Sequence, residues 1–457
     1  MHDLTKGPIA GHIARLSAPI AAGMIFQTLY YLVDLYFVSR LGSTAIAGVS
    51  AAGNVQFIIM AVTQILGVGT MVLVSHASGR KDRDDANLIY NQSLVMAAIC
   101  GAVTLVIGYG ASRWYLGTIT ADAATVDTGM TYLRWFTPGM ALQFALISMG
   151  SALRGTGIAK PTMVVQVLTV LLNVVLAPVL IAGIGTGRPM GVAGAGLAST
   201  IAVMVGVVLM FIYFEKLEKF VRFDASMFRP RLESWKRILK IGLPAGGEFA
   251  LMFVYMAVVY WTIRGFGPEA QAGFGVGGRV MQAVFLPAMA MAFAAAPIAG
   301  QNFGAGLHDR TRKTFATAAG MGVGLMLVLM IVIQLEAERM VGFFTDDPAV
   351  ISVATGFLHI ISFNFVATGV IFTCSSMFQA LGNTIPSVIS SATRIATFAI
   401  PAMWLSTRPG FQIRHIWTLS VITVAVQLVV SLLLLRREFK RRLSPPAAEL
   451  SPSPVGA

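Results

Sequence analysis

VGLMLVLMIVI, residues 323–333, has no polar side chain on any face. A helix on the surface of a soluble protein keeps a polar stripe. A strand of a membrane barrel alternates polar and apolar residues over about ten positions. This stretch does neither, and reads as part of a helix surrounded by hydrocarbon or by other apolar helices. Outward from it, similar runs recur along the chain, each near the roughly 20 residues that cross a bilayer as a helix. They predict spans over 13–39, 45–75, 88–111, 131–153, 162–184 and 192–214. A second set follows over 238–264, 270–300, 315–335, 351–380, 385–405 and 416–435. The composition agrees: 56% of the 457 residues are hydrophobic and 12% are charged, about half the charge of a soluble domain. Mean hydropathy is +0.76. The fold class expected is an all-α integral membrane protein of about twelve transmembrane helices; soluble, disordered and collagen-like classes are excluded.

The formal charge of +13 would point to nucleic acid in a soluble protein, but the placement of Lys and Arg gives another reading. Lys6 and Arg15, the group Arg80, Lys81 and Arg83, the pair Arg154 and Lys160, eight residues from Lys216 to Lys240, and Arg310, Arg312 and Lys313 all fall on one side. The run Arg436, Arg437, Lys440, Arg441 and Arg442 joins them. The other side holds scattered single arginines. This is the positive-inside pattern. It places both termini in the cytoplasm, expects a multi-pass protein of a bacterial inner membrane in contact with lipid, and leaves no role for nucleic acid. The N-terminus lacks the basic, apolar and small-residue order of a cleaved signal, so the first span is expected to direct its own insertion. Cys100 and Cys374 lie in apolar runs and suggest neither disulfide nor metal site. No G-x-x-x-x-G-K-[ST] loop is present, so ATP is not expected as the energy source within this chain.

Displaced by 225 positions, the chain matches itself. Pro19 meets Pro244, Gly42 meets Gly267, Gly48 meets Gly273, Gly79 meets Gly304, Asp122 meets Asp347, Gly157 meets Gly382 and Pro161 meets Pro386. One register without a gap from Pro19 to Pro161 implies an internal repeat, since Gly and Pro hold specific backbone roles. Six spans per half give both halves the same orientation, related by an axis along the membrane normal. The organisation expected is a six-helix lobe over 1–214, a charged cytoplasmic linker over 215–237, a second lobe over 238–442 and a disordered Pro/Ser-rich tail over 443–457. Two such lobes enclose a cleft of the kind a transporter opens to one side at a time.

The residues that fill this frame resemble one family. VDLYFVSRLG (33–42), SHASGRKDRDDA (75–86), LRGTGIAKP (153–161), GLPAGGEF (242–249), GFGVGGRV (273–280), PIAGQNFGAGLHDR (297–310) and FQALGNTIP (378–386) occur in the order and spacing of multidrug and toxic compound extrusion (MATE) transporters, most like the DinF-like bacterial branch. The resemblance covers all but the tail. It implies export of amphipathic, often cationic, organic compounds driven by an inward H⁺ or Na⁺ gradient, with no cofactor. A lipid-linked saccharide flippase of the same superfamily is the alternative; Arg279 and Arg394 sharing one central cavity would favour it.

An ionisable group within hydrocarbon costs about 2.5–3.5 kcal/mol on insertion scales and usually has a task or a partner. Asp34 lies among Tyr30, Tyr31, Leu32, Val33, Leu35, Tyr36 and Phe37 and matches the acidic position of the family's first-helix pattern. A carboxyl so placed can take up a proton from outside and release it inside; an interfacial acid is the plainer reading. In LLNVVLAPVLI (171–181) the family branch has Asn and, four residues on, Asp. Here Asn173 is present and the second position is Ala177. One carboxylate suits H⁺ better than Na⁺, which prefers a cage of oxygens. Asn173 is expected either to hydrogen-bond Asp34 or to make an interhelical amide contact. Glu248 follows Pro244 by one turn, as a second ion site or as the partner of Arg237 or Lys240. Gln27, Tyr30 and Tyr31, with Met252, Met256 and Arg279 in the second half, are candidate cleft residues. Pro19 and Pro244 are read as helix starts, and the six tryptophans as mostly an interfacial belt.

Overall fold

The computed structural model describes residues 2–185 and 187–443, without the side chains of Tyr31 and Leu35. All of the expected tail beyond Leu443 lies outside the described residues, as does the side chain of the cleft candidate Tyr31. Fourteen α-helices are present among the described residues. The first half contains α1 (Ile9–Ser39), α2 (Ser43–Gly53), α3 (Val55–Arg80), α4 (Arg83–Ile119), α5 (Ala123–Gly155), α6 (Lys160–Ile181) and α7 (Val192–Lys216). The second contains α8 (Leu232–Ile263), α9 (Pro268–Gly304), α10 (His308–Gly342), α11 (Pro348–Ile361), α12 (Phe365–Ala380), α13 (Ile385–Ser406) and α14 (Ile413–Arg442). Because α2 with α3 and α11 with α12 each form one continuous span, the helices make twelve segments long and apolar enough to cross a membrane.

Pro19 and Pro244 lie inside α1 and α8, not at their starts. The turns before each proline remain helical because they bury a face: Ile13 and Leu16 in α1, and their repeat mates Ile238 and Ile241 in α8, are all buried. Each proline still leaves the carbonyl four residues earlier without its helical partner. These leading turns also cross between the halves. Ile13 and Leu16 sit in a core with Ala294, Ile298, Met377 and Phe378 of the second half. Ile238, Ile241 and Ala245 sit in the core of the first half. Each half thus lends the head of its first helix to the other.

The halves meet most closely where α3 crosses α8 and α9, and small residues make this possible. A Cβ on Gly242 would collide with the Ile65 carbonyl, one on Gly69 with that of Ile238, and one on Gly79 with that of Gln301. A Cβ on Gly304, the repeat mate of Gly79, would collide with the carbonyl of His76, the repeat mate of Gln301. The same symmetry governs two hydrogen bonds across the interface. His76 Nε2 lies 2.6 Å from the Ala380 carbonyl, and Gln301 Nε2 donates to the Gly155 carbonyl at 3.0 Å. His76 and Gln301 are mates, and so are Gly155 and Ala380. The N-terminal segment is tied in at the same end: the Leu4 amide donates to Gln301 Oε1 at 3.0 Å, and Arg310 Nη2 donates to the Gly7 carbonyl at 2.6 Å.

The connection between halves is held to α4 by three amide side chains. Asn87 Oδ1 accepts from the Arg222 amide (2.8 Å), and Asn91 Oδ1 accepts from that of Asp224 (3.0 Å). Gln92 donates to the Met227 and Arg229 carbonyls and accepts from the Arg231 amide and the Trp235 indole. Trp417 departs from the interfacial belt: it is buried and stacked on Phe274 at 5.6 Å between centroids. At the start of α14, it fills the end of the second-half core.

Candidate functional site

Asp34 lies in α1 as its sequence suggested and is 9% exposed. Tyr132 of α5 hydrogen-bonds its carboxylate, the phenol donating. Carboxylate Oδ1 has no partner among the described residues. Nearby helices carry further unsatisfied groups: both amide atoms of Asn173 in α6 and the hydroxyl of Ser199 in α7 are buried without a partner among the described residues. α6 packs on both α1 and α7, and α5 on α7. Asn173 therefore forms neither of its expected contacts: it bonds neither Asp34 nor another helix. Ala177, one turn further, is fully buried, so the position where the family branch has an acid holds only a methyl group. Buried polar atoms without partners are uncommon, and an ion or water is a usual explanation.

Glu248 is organised differently. It lies in α8 and is partly buried. Both its carboxylate oxygens accept from Ser375 Oγ of α12, at 3.0 and 3.1 Å, and Ser375 Oγ lies 3.2 Å from Ser387 Oγ of α13. The expected pairing with Arg237 or Lys240 does not occur. Arg237 instead forms a two-pronged bond with Asp85 of α4, at 2.8 and 3.0 Å. Eleven residues of helix carry it about 16 Å from Glu248.

The candidate cleft residues are spread over α1, α8 and α9. Gln27 is exposed and Tyr30 half-buried on α1, Met252 is exposed on α8, and Met256 packs on the second-half core. Arg279 is exposed on α9, whereas Arg394 of α13 lies over the Tyr255 ring, 4.1 Å from its centroid. No contact among the described residues joins the two arginines. Phe57 of α3 and Phe253 of α8 meet across the halves with centroids 4.9 Å apart. Among the described residues no three His, Cys, Asp or Glu side chains gather as a metal site.

Comparison with known proteins fits this architecture. A sequence model described as MatE matches residues 19–179 and again 244–405, with starts separated by the repeat length of 225. The chain belongs to the MatE family. Among relatives, the multidrug export protein MepA of Staphylococcus aureus (strain NCTC 8325 / PS 47) is 25% identical over 95% of this chain and 96% of its own. The probable multidrug resistance protein YoeA of Bacillus subtilis (strain 168) is 25% identical over 81% of each. An outward-facing multidrug resistance MATE family transporter superposes with a TM-score of 0.89 at 26% identity, covering 97% of this chain and 98% of its own. A MatE chain of this kind is a multi-pass membrane transporter of the multidrug efflux type, not an enzyme.

Several residues of this MatE protein escaped the sequence reading: Tyr132, Ser375 and Ser387 as carboxylate partners, and His76 and Gln301 as the bonds between halves. The repeat register held a signal for the last two, since His76 and Gln301 are unlike polar residues on otherwise matched helices.

Proposed function

We propose that this transporter is a secondary antiporter of the bacterial inner membrane, with both termini cytoplasmic. It exports amphipathic, often cationic, organic compounds in exchange for an inward ion flow. The observation that carries the coupling assignment is the under-satisfied Asp34 carboxylate, with one donor and one free oxygen. The coupling ion is H⁺. With Ala177 in place of a second acid, the first half offers one carboxylate and neutral oxygens, which suits a proton better than Na⁺. Protonation of Asp34 weakens the hold on a cationic substrate and lets it leave. Asn173 supports that exchange as a neutral hydrogen-bonding neighbour in the same half, and Glu248 is a second ion-responsive site. Both termini meet in one shared core at the arginine-rich end, which supports the topology. Substrate faces Gln27, Tyr30, Met252, Met256 and Arg279 as the halves part.

The test is dye efflux in everted vesicles under an imposed pH gradient or an imposed Na⁺ gradient. The expected result is accumulation driven by the pH gradient and abolished by Asp34→Asn. Accumulation driven by Na⁺ alone refutes the H⁺ assignment, and accumulation under neither gradient refutes antiport.

The flippase alternative has no comparable support. Arg279 on α9 is exposed and no contact among the described residues joins it to Arg394, which lies over the Tyr255 ring.

A further inference from the structure

Arg394 is the tenth of 22 residues in α13, about 15 Å from the start of the helix and so near mid-membrane. A cation there requires a compensating group. No Asp or Glu lies within 4.0 Å of it among the described residues, and its Nε is buried without a hydrogen-bond partner. Its only described compensation is the face of Tyr255, whose hydroxyl lies 2.9 Å from Ser420 Oγ of α14. An aromatic face attracts a cation but accepts none of the guanidinium's five N–H groups in the manner of an oxygen.

Its surroundings form layers along α8 and α13. α8 and α13 run in parallel and pack together. Glu248 and Ser387 form one polar layer across them. Tyr255 and Arg394, each seven residues further along its helix, form a second layer about 10 Å away. One turn beyond that, Val259 and Phe398, with Phe274, Phe357 and Trp417, close the second half with a packed apolar floor. The Glu248 carboxylate is bonded by Ser375 and lies too far off to pair with Arg394. Arg394 is partly exposed, so although its Nε is buried the side chain as a whole is not sealed.

We propose that Arg394, backed by Tyr255, is a subsite in the second half for an oxyanion of the substrate, a carboxylate or phosphate, so that the transporter accepts zwitterionic and anionic amphiphiles as well as cations. The planar guanidinium, held against the ring, presents paired donors to two oxygens of such a group. This rests on the efflux reading above and adds a substrate class to it.

The test uses a rhodamine with a free carboxylate and its ethyl ester, which differ in that one charge. Affinities for both are measured by fluorescence anisotropy on purified protein with no ion gradient. Wild type, Arg394→Gln and Arg394→Lys are compared, each first shown to be folded by its melting transition. The expected result is that the ratio of carboxylate to ester affinity falls roughly tenfold in Arg394→Gln, the scale of one charge-assisted contact, with Arg394→Lys in between. An unchanged ratio in both variants, or no binding of the carboxylate dye to wild type, overturns the proposal. If Arg394→Gln does not fold, the ratio in Arg394→Lys decides. The efflux reading is judged separately: wild-type vesicles that pump neither dye under any gradient refute it, whatever the binding ratio.

Discussion

Each half of this transporter sets one acid within an otherwise apolar span, Asp34 and Glu248, and the two are held differently. Asp34 has one phenol donor, a carboxylate oxygen with no partner, and unsatisfied groups at Asn173 and Ser199 in neighbouring helices. Both oxygens of Glu248 are engaged by Ser375, which is itself backed by Ser387. Neither acid has an acidic mate: position 259 is Val and position 23 is Gly. The repeat thus supplies the frame, and each half carries its acid at a position the other does not match. A loosely satisfied carboxylate exchanges a partner easily, whereas one gripped by a pair of serine hydroxyls changes partner only when a serine moves away.

The sharpest way to break this contrast is to neutralise each acid in turn. Asp34→Asn is expected to reduce gradient-driven dye accumulation to background, while Glu248→Gln, which can still bond Ser375, keeps most of it. Equal losses in vesicle assays would mean that the halves share the work. Next in size is the interface. Gly79→Val places a branched side chain against the Gln301 backbone and should cost about 1–3 kcal/mol, the range for overpacking. A thermal melt in detergent measures it, and an unchanged melting temperature would show that the halves do not depend on this contact.

Ser375→Ala tests the second-half acid directly. It takes one of two serine donors from a partly buried carboxylate and should destabilise by about 1–3 kcal/mol, whereas Ser199→Ala, which removes an already unpartnered hydroxyl, should be neutral or slightly stabilising. The reverse order would erase the distinction between an open and a closed site. The smallest effect compares two repeat mates that kept one job. Asp122 caps α5 by accepting from the Thr125 amide at 3.0 Å, and Asp347 caps α11 by accepting from that of Ala349 at 2.9 Å. The Thr125 hydroxyl and amide hold the Asp122 carboxyl below its ordinary value. Its cap is therefore fully present above the ordinary carboxylate range and is lost as pH falls through the lowered value. Hydrogen exchange at the first turn of α5 should quicken only on that acid side, and quickening at neutral pH would contradict it.

The spans, the repeat and the position of Asp34 were legible because each is a local or periodic property. An acid in an apolar run is visible in one dimension, and a register of 225 needs no structure. Partners were not legible. Tyr132 and Ser375 lie about a hundred or more residues from their acids, and many hydroxyls in the chain competed for the role. The proline reading failed because the burial of Ile13, Leu16, Ile238 and Ile241, which extends both helices, depends on the opposite half. Arg394 was visible as an oddity, but its placement over Tyr255 exists only once α8 and α13 pack.

The paired bonds of His76 to Ala380 and Gln301 to Gly155 have the form of an isologous contact. A residue of one half binds the equivalent of what its own equivalent binds. That is how two identical six-helix chains would clasp about a twofold axis, and the fused protein retains the handshake. Because the two bonds flank the same axis, parting the halves at this end breaks both grips. One hand is now an imidazole and the other an amide, so the two grips keep one geometry with different chemistry.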